Sequence, residues 1–275
     1  MVFEKIFVTG NSGAVGMPLL DNIKNELHGV TVDGVGRHEY SSFFDSSFLN
    51  KSLALIVHSG AASSRESSYE EVLKKNIEST REIAYYMRKN KSLHLIFFSA
   101  CSIFSAVSRQ LIKAEDVPHP GDLYSWSKLI GELLFGDKEI IERCLILRLP
   151  AVYGTKNDKG FLNKMINLAK TNQKIVIKNG NGKFNNGISL ESLKRFIIHL
   201  CDIENYVEAS AYGPIMLGFS PSITFNTLGQ YIRENYSCEC FVEQGEKNFV
   251  VDLESAIMAG YKPDSFSNVM ELVRK

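Results

Sequence analysis

Ile6-Phe7-Val8-Thr9-Gly10-Asn11-Ser12-Gly13-Ala14-Val15-Gly16 is the stretch on which the reading of this chain turns. Its apolar, β-branched start predicts a strand over Lys5–Thr9, and apolar residues recurring three and four apart predict a helix over about Ala14–Leu27. Between them stand Gly10, Gly13 and Gly16. Glycine permits a tight turn and lets an anion approach the backbone, while the free N–H groups and positive dipole end of the following helix attract it. The segment Gly10, Asn11, Ser12, Gly13, Ala14, Val15, Gly16 is therefore expected to hold the pyrophosphate of a dinucleotide cofactor. One or two glycines would serve a plain strand-to-helix turn; three at the first strand of a βα series favour cofactor binding. The spacing is Gly-x-x-Gly-x-x-Gly, distinct from Gly-x-Gly-x-x-Gly.

Further strands are predicted at Val30–Val35, Leu53–His58, Leu93–Ser99 and Cys144–Leu149, alternating with helices at about Tyr69–Asn90 and Leu123–Ile141. This alternation predicts an α/β fold, a Rossmann-like doubly wound parallel sheet. After Gly154 the regularity weakens. A helix near Phe161–Thr171, a strand Lys174–Ile177, an Asn- and Gly-rich loop Asn179–Gly187 and a helix near Leu190–Ile203 come first. A strand Pro214–Leu217, a helix Thr227–Tyr236 and a strand Cys240–Glu243 follow. Residues 1–155 read as an NAD(P)-binding domain, completed by part of 185–217. Residues 156–275 read as mainly a smaller, interleaved and discontinuous substrate-binding portion.

Lys plus Arg and Asp plus Glu both total 31, so no overall field favours nucleic acid or an anionic membrane. No apolar run approaches the roughly 18 residues that span a bilayer, and Met1, Val2 and Phe3 lead into the first strand with no secretory signal, so the cytosol is the expected location. The five cysteines are scattered and lack the paired spacing of a metal site or a disulfide framework. No metal is expected.

The second strand ends Val35-Gly36-Arg37, where NAD-preferring sites place an acid on the ribose 2′-hydroxyl. Gly36 is read as leaving that space empty, and Arg37 offers a guanidinium fork suited to a 2′-phosphate. NADP is favoured, with NAD as the alternative. The plainer reading of Arg37 is a solvated surface arginine.

Tyr124-Ser125-Trp126-Ser127-Lys128 carries a Tyr-x-x-x-Lys pair on a predicted helix, and with the glycine turn the chain resembles the extended short-chain dehydrogenase/reductases. Val57-His58-Ser59-Gly60-Ala61-Ala62, Asn76, Arg148-Leu149-Pro150-Ala151-Val152-Tyr153-Gly154 and Ala259-Gly260-Tyr261-Lys262-Pro263 extend the resemblance over nearly the whole chain. Their order is similar to the nucleotide-sugar branch of the NAD-dependent epimerase/dehydratase type. The resemblance implies cofactor contacts from Ser59, Gly60, Ala61, Asn76, Tyr124 and Lys128, with Pro150 and Val152 facing the nicotinamide. It also implies a nucleotide-sugar substrate and a homodimer through the helices at Tyr69–Asn90 and Leu123–Ile141. Leu73, Ile77, Ile130 and Leu134 on those helices suit sheet packing equally well.

Residues four apart share a helix face, so Tyr124 and Lys128 can serve one cleft. The Lys128 ammonium, together with the positive nicotinamide of an oxidised cofactor, is expected to favour phenolate and lower the tyrosine pKa from about 10. Tyr124 would then exchange a proton with a sugar hydroxyl or ketone while hydride moves to or from the cofactor. One departure from the family falls in Ser99-Ala100-Cys101-Ser102-Ile103-Phe104, where Ala100 stands in place of the catalytic Ser or Thr. Ser102, ahead of Ser99, is the candidate replacement, and a turn-satisfying role for both carries equal weight. A second departure is Lys183, with no Arg, in the loop expected to meet the diphosphate.

The leading expectation is an NADP-dependent oxidoreductase reducing a nucleotide-linked keto-sugar in surface polysaccharide precursor metabolism. The alternatives are an NAD-dependent nucleotide-sugar 4-epimerase and, because of Ala100, a non-catalytic NAD(P)-binding regulator. His58 reads as a core histidine.

Overall fold

Ile6 and Val8 point to one face of the first strand and Phe7 to the other, and each side enters a separate apolar core. A computed structural model describes residues 1–45, 52–62, 67–105, 109–155 and 160–274. In it β1 (Lys5–Thr9) lies within a six-stranded sheet with β2 (Thr31–Val35), β3 (Ala54–His58), β4 (Leu93–Ala100), β5 (Cys144–Leu149) and the short strand Ile215–Met216. The order is Ile215–Met216, β5, β4, β3, β1, β2, and every neighbouring pair is parallel.

Helix α1 (Gly16–Glu26) and the helices Leu190–Leu200 and Ile203–Ala211 cover one face, where Leu19, Ile23, Phe196 and Tyr206 meet Ile6 and Val8. The other face is covered by α2 (Tyr40–Phe44), α3 (residues 69–89) and α4 (Leu123–Phe135), whose Phe44, Ile83 and Phe135 surround Phe7 and Phe97. Helix α3 is made of Tyr69–Val72, a π-wound stretch Leu73–Glu78, and Ser79–Lys89. The fold is a Rossmann-like doubly wound α/β sheet. Chain order reverses between β1 and β3, so their C-terminal ends open the crevice where such sheets bind ligands. Thr9 lies opposite His58 in the register, which sets the glycine turn beside Ser59–Ala61.

The helix predicted over Leu123–Ile141 stops at Phe135, because Gly136 ends it and the Asp137 carbonyl then takes the amides of Ile140 and Ile141. Helices α2 and Ile203–Ala211 have no counterpart among the predicted elements. The first is only five residues long, too short to show a period. The second starts from Asp202, whose carboxylate caps the amides of Glu204 and Asn205 and also pairs with the amino terminus.

The stretch Asn179–Gly187, predicted as loop, carries the strand Lys183–Phe184, antiparallel to Ile223–Thr224, and leads into Gly187–Ser189, parallel to Ala151–Tyr153. Ile175–Ile177 runs parallel to Cys240–Val242. These ladders enclose a third core around Leu162, Ile166, Phe184, Phe219 and Leu228, with Phe184 stacked on Phe225 at 4.6 Å between centroids. The predicted border at residues 155 and 156 adjoins residues 156–159, which lie outside the described residues. Among the described residues no helix is long and apolar enough to cross a membrane.

Candidate active site

Three glycines make the turn after β1 a matter of backbone against backbone. Gly10 has φ of +69°, and a Cβ there would lie 2.5 Å from the Gly60 Cα. A Cβ on Gly16 would stand 2.2 Å from the Gly10 carbonyl oxygen and 2.5 Å from the Ser59 hydroxyl. The Gly13 amide donates to the Gly10 carbonyl at 2.8 Å, and the Ser59 hydroxyl donates to the Thr9 carbonyl at 2.6 Å. The turns after β1 and β3 are thereby locked together. Helix α1 begins at Gly16 with no side-chain cap. The Met17 and Leu19 amides donate to the Gly13 and Val15 carbonyls at 3.1 and 3.2 Å and Pro18 has no amide hydrogen, so within the first turn the Gly16 amide and the helix dipole are what remain for an anion. A cleft of about 600 Å³ lies here, lined by the whole of the Gly10–Gly16 turn, Arg37 and Ser59–Ala61. Such a cradle of missing side chains fits a dinucleotide pyrophosphate.

Tyr40, Lys75, Ser79 and His38 also line the cleft. Only the packing of α2 and α3 on the sheet brings them there, and no spacing in the sequence signals it. Asn76 is placed as a clamp. It is buried, its Oδ1 accepts from the Ala62 amide at 2.7 Å, and its Nδ2 donates to the Ala62 carbonyl at 3.1 Å and the Ser127 hydroxyl at 2.9 Å. Its polar atoms are committed to tying the loop after β3 to α4.

His58 is fully enclosed beneath the glycine turn, as a core histidine. The Thr80 hydroxyl donates to the Asn76 carbonyl, so His58 Nε2 donates to Thr80 at 3.1 Å and Nδ1 accepts from Thr9 at 2.6 Å. Burial first, and the Lys128 charge second, push its pKa down to about 3, so the ring is neutral.

The end of β2 overturns one expectation. The space at Gly36 is not empty: the Gly36 amide donates to Glu39 Oε2 at 2.7 Å, and a Cβ on Gly36 would lie 2.9 Å from that same oxygen. With no side chain at position 36, the short turn Arg37–Glu39 folds back and brings a carboxylate into its place. Arg37 Nη1 donates to the Lys74 carbonyl at 2.5 Å, docking the guanidinium on α3 at the rim of the cleft.

Asp122 caps α4 by accepting from the Ser125 amide at 2.8 Å, and this starts the helix at the first turn containing Tyr124. Gly131 lets α4 approach β4 closely, since a Cβ there would meet the Phe97 ring at 2.5 Å. Lys128 is buried, donates to the Phe98 carbonyl at 2.7 Å, and sits 5.8 Å from the centroid of the half-buried Tyr124 ring. Burial lowers the Lys128 pKa to about 8, against the raising effect of Glu132. In the protein by itself, burial, with the Asp122 charge behind it, pushes the Tyr124 phenol up to about 12.

The two candidate serines part company. Ser99 donates to Glu132 Oε1 at 2.5 Å within a buried ion pair in which Arg148 reaches Glu132 at 2.8 and 3.0 Å. Its hydroxyl hydrogen is committed to that pair. Ser102 lies in the turn Cys101–Phe104 and accepts from the Ser125 hydroxyl at 2.8 Å, beside Tyr124 in sequence. Pro150 and Val152 follow β5 half-buried; Val152 pairs with Ile188, and neither lines the cleft. Lys183 is exposed on its two-stranded ladder.

A family model described as the RmlD substrate binding domain matches residues 4–205. Among solved structures, the chain is similar to a UDP-glucuronic acid 4-epimerase from Bacillus cereus in complex with NAD, at 17% identity and a TM-score of 0.72, covering 98% of this chain and 96% of that one. A dTDP-4-dehydrorhamnose reductase from Clostridium acetobutylicum shows 17% identity and a TM-score of 0.72 over 98% of both chains. Another from Bacillus anthracis, in complex with NADP, shows 18% identity and a TM-score of 0.69, over 98% of this chain and 97% of that one. No curated protein matches the sequence. At such identities the solved structures speak to the fold, and the family rests on the match that runs from the first strand to beyond the helix Leu190–Leu200: the chain belongs to the RmlD substrate binding domain family, of the extended short-chain dehydrogenase/reductase type.

Proposed function

We propose that this protein is an NADP-dependent reductase that converts the carbonyl of a nucleotide-linked keto-sugar to a hydroxyl, in the supply of surface polysaccharide precursors. The observation that carries the reading is Tyr124 on the same helix face as the buried Lys128, whose ammonium lies 5.8 Å from the phenol ring centroid, with the glycine cleft at the neighbouring strand ends. A dinucleotide bound in the cleft supplies the hydride that reduces the carbonyl carbon. Tyr124 gives its proton to the carbonyl oxygen, and the positive charge of Lys128 stabilises the phenolate left behind. Ser102 accepts from Ser125, so its own hydrogen is free to hold the carbonyl oxygen in the role that Ala100 cannot fill. Arg37 at the rim supplies the charge for a 2′-phosphate. The substrate class follows from the relatives, which act on UDP-glucuronic acid and dTDP-linked dehydrorhamnose.

A second reading, the NAD-dependent 4-epimerase, is favoured by the Glu39 carboxylate at Gly36, because an acid at the end of the second strand suits NAD. The test is to supply NADPH with a panel of nucleotide-linked keto-sugars and follow the absorbance of the reduced cofactor. Consumption with at least one sugar, reduced by about 10²- to 10⁴-fold in Tyr124→Phe, is expected. Firmly retained NAD in the purified protein, with sugars interconverted and no net consumption, would replace the reductase by the epimerase.

A further inference from the structure

Tyr124, Lys128 and Glu132 stand four residues apart on α4 and share one face of it. Glu132 is buried, and the buried Arg148 of β5 grips it with two prongs, Nε to Oε1 at 3.0 Å and Nη2 to Oε2 at 2.8 Å. The third nitrogen of the same guanidinium, Nη1, donates to the Ala114 carbonyl at 2.7 Å, in the loop that leads towards α4. The turn Cys101–Phe104 rests on Arg148 from both ends. The Cys101 thiol donates to the Arg148 carbonyl at 3.1 Å, and the Phe104 ring centroid lies 5.1 Å from the guanidinium carbon. Ser102 is carried between those two contacts and accepts from Ser125, next to Tyr124. Arg148 itself does not line the cleft. We infer that Arg148 is a positioning residue, which from beneath the site fixes the Ser102 turn and the loop at Ala114 against the helix carrying Tyr124 and Lys128. The inference rests on the reading that these side chains reduce a carbonyl.

A buried ion pair adds little net stability, because desolvation offsets much of its attraction. What this one adds is geometry: three separate segments share a single planar fork. Proton transfer requires donor and acceptor held in register, and a misplacement of about 1 Å costs up to about 100-fold in rate. Arg148→Ala alone is a poor probe, since it leaves the Glu132 carboxylate buried and unpaired. The double variant Arg148→Met, Glu132→Gln removes both charges at nearly constant volume, and the new amide oxygen still accepts from Ser99. A role confined to stability forecasts wild-type turnover in any variant that folds. Glu132 also raises the Lys128 pKa, so a role through that charge alone forecasts turnover that returns as pH falls and Lys128 regains its proton.

The experiment compares wild type, the double variant and Arg148→Lys, which keeps a cation beside Glu132 but lacks the fork, each checked for folding by circular dichroism. With NADPH and the panel of keto-sugars, kcat should fall about 10- to 100-fold in the double variant and by less in Arg148→Lys, at every pH from about 6 to 9, while NADPH binding stays within about threefold. Alkylation of Cys101 by iodoacetamide, read peptide by peptide, should quicken about tenfold relative to the buried Cys201, because the turn has lost its seat. Wild-type kcat in the folded double variant, kcat restored at low pH, or unchanged Cys101 alkylation overturns the positioning role and leaves the reductase standing. If the double variant fails to fold, Arg148→Lys decides by the same readings. If the wild type reduces no sugar of the panel, the reductase falls and this inference falls with it.

Discussion

The turns after β1 and β2 border one cleft and are built on opposite terms. After β1, backbone packs on backbone: Gly10 against Gly60 and Gly16 against the Gly10 carbonyl, at distances no side chain tolerates. After β2, two flexible charged side chains, Arg37 and Glu39, fold onto whatever partner is nearest. The first arrangement dictates residue identity and is rigid; the second sets preference and can be retuned. That difference is why three glycines announce the site from the sequence while Glu39 does not.

Gly10→Ala should have the largest effect. The added carbon meets the Gly60 backbone at 2.5 Å, with φ at +69°, so a loss of about 2–4 kcal/mol in stability is expected, and both dinucleotides should weaken together. Chemical denaturation with parallel binding titrations measures this. A well-tolerated alanine would break the distinction between the two turns.

Acid comes next, through His58 beneath the first turn. Its native pKa of about 3 lies below its ordinary value, so between roughly pH 6.5 and pH 3 the unfolded chain takes up a proton that the native state refuses. Stability from this group is complete above pH 6.5 and declines as pH falls, by about 5 kcal/mol in all. Denaturation midpoints across that range should fall more steeply for the wild type than for His58→Gln. Equal slopes would show that His58 is protonated in the native protein.

Arg37→Ala should weaken NADPH by about 10-fold or more and NADH by less than about threefold, since only one carries the phosphate. Equal weakening would make Arg37 a structural prop on α3. Gly36→Ala should have the smallest effect, within about 0.5 kcal/mol in thermal stability, because the new carbon meets a movable Glu39 carboxylate. A penalty like that of Gly10→Ala would erase the contrast.

The same division governs how much of the molecule is legible. Strands β1 and β5 have the bounds their apolar runs predict, α1 and α3 lie where the helical period puts them, and α4 starts where predicted but ends early at Phe135. The cleft-lining turn residues follow from glycine and sheet register alone. Asn76 and Ser99 look like site residues in the sequence, yet each is drawn into a buried polar cluster by partners 51 and 33 positions away. Ser102 is set apart from Ser99 only by the turn Cys101–Phe104 and its contact with Ser125. Burial, invisible in the Tyr-x-x-x-Lys spacing, raises the tyrosine pKa in the protein by itself, before the nicotinamide charge on which the expected lowering depends. In the C-terminal portion the ladders are two or three residues long and pair distant segments, so they leave no period to detect.

Hydride delivery beside Tyr124 is tested most directly by supplying NADPH deuterated at the transferable position together with a nucleotide-linked keto-sugar, and reading the product by mass spectrometry. A reduced sugar heavier by a single deuterium, formed by the wild type and lost in Tyr124→Phe, is the expected result. A sugar product that carries no deuterium, or one formed equally well by Tyr124→Phe, would contradict the reductase.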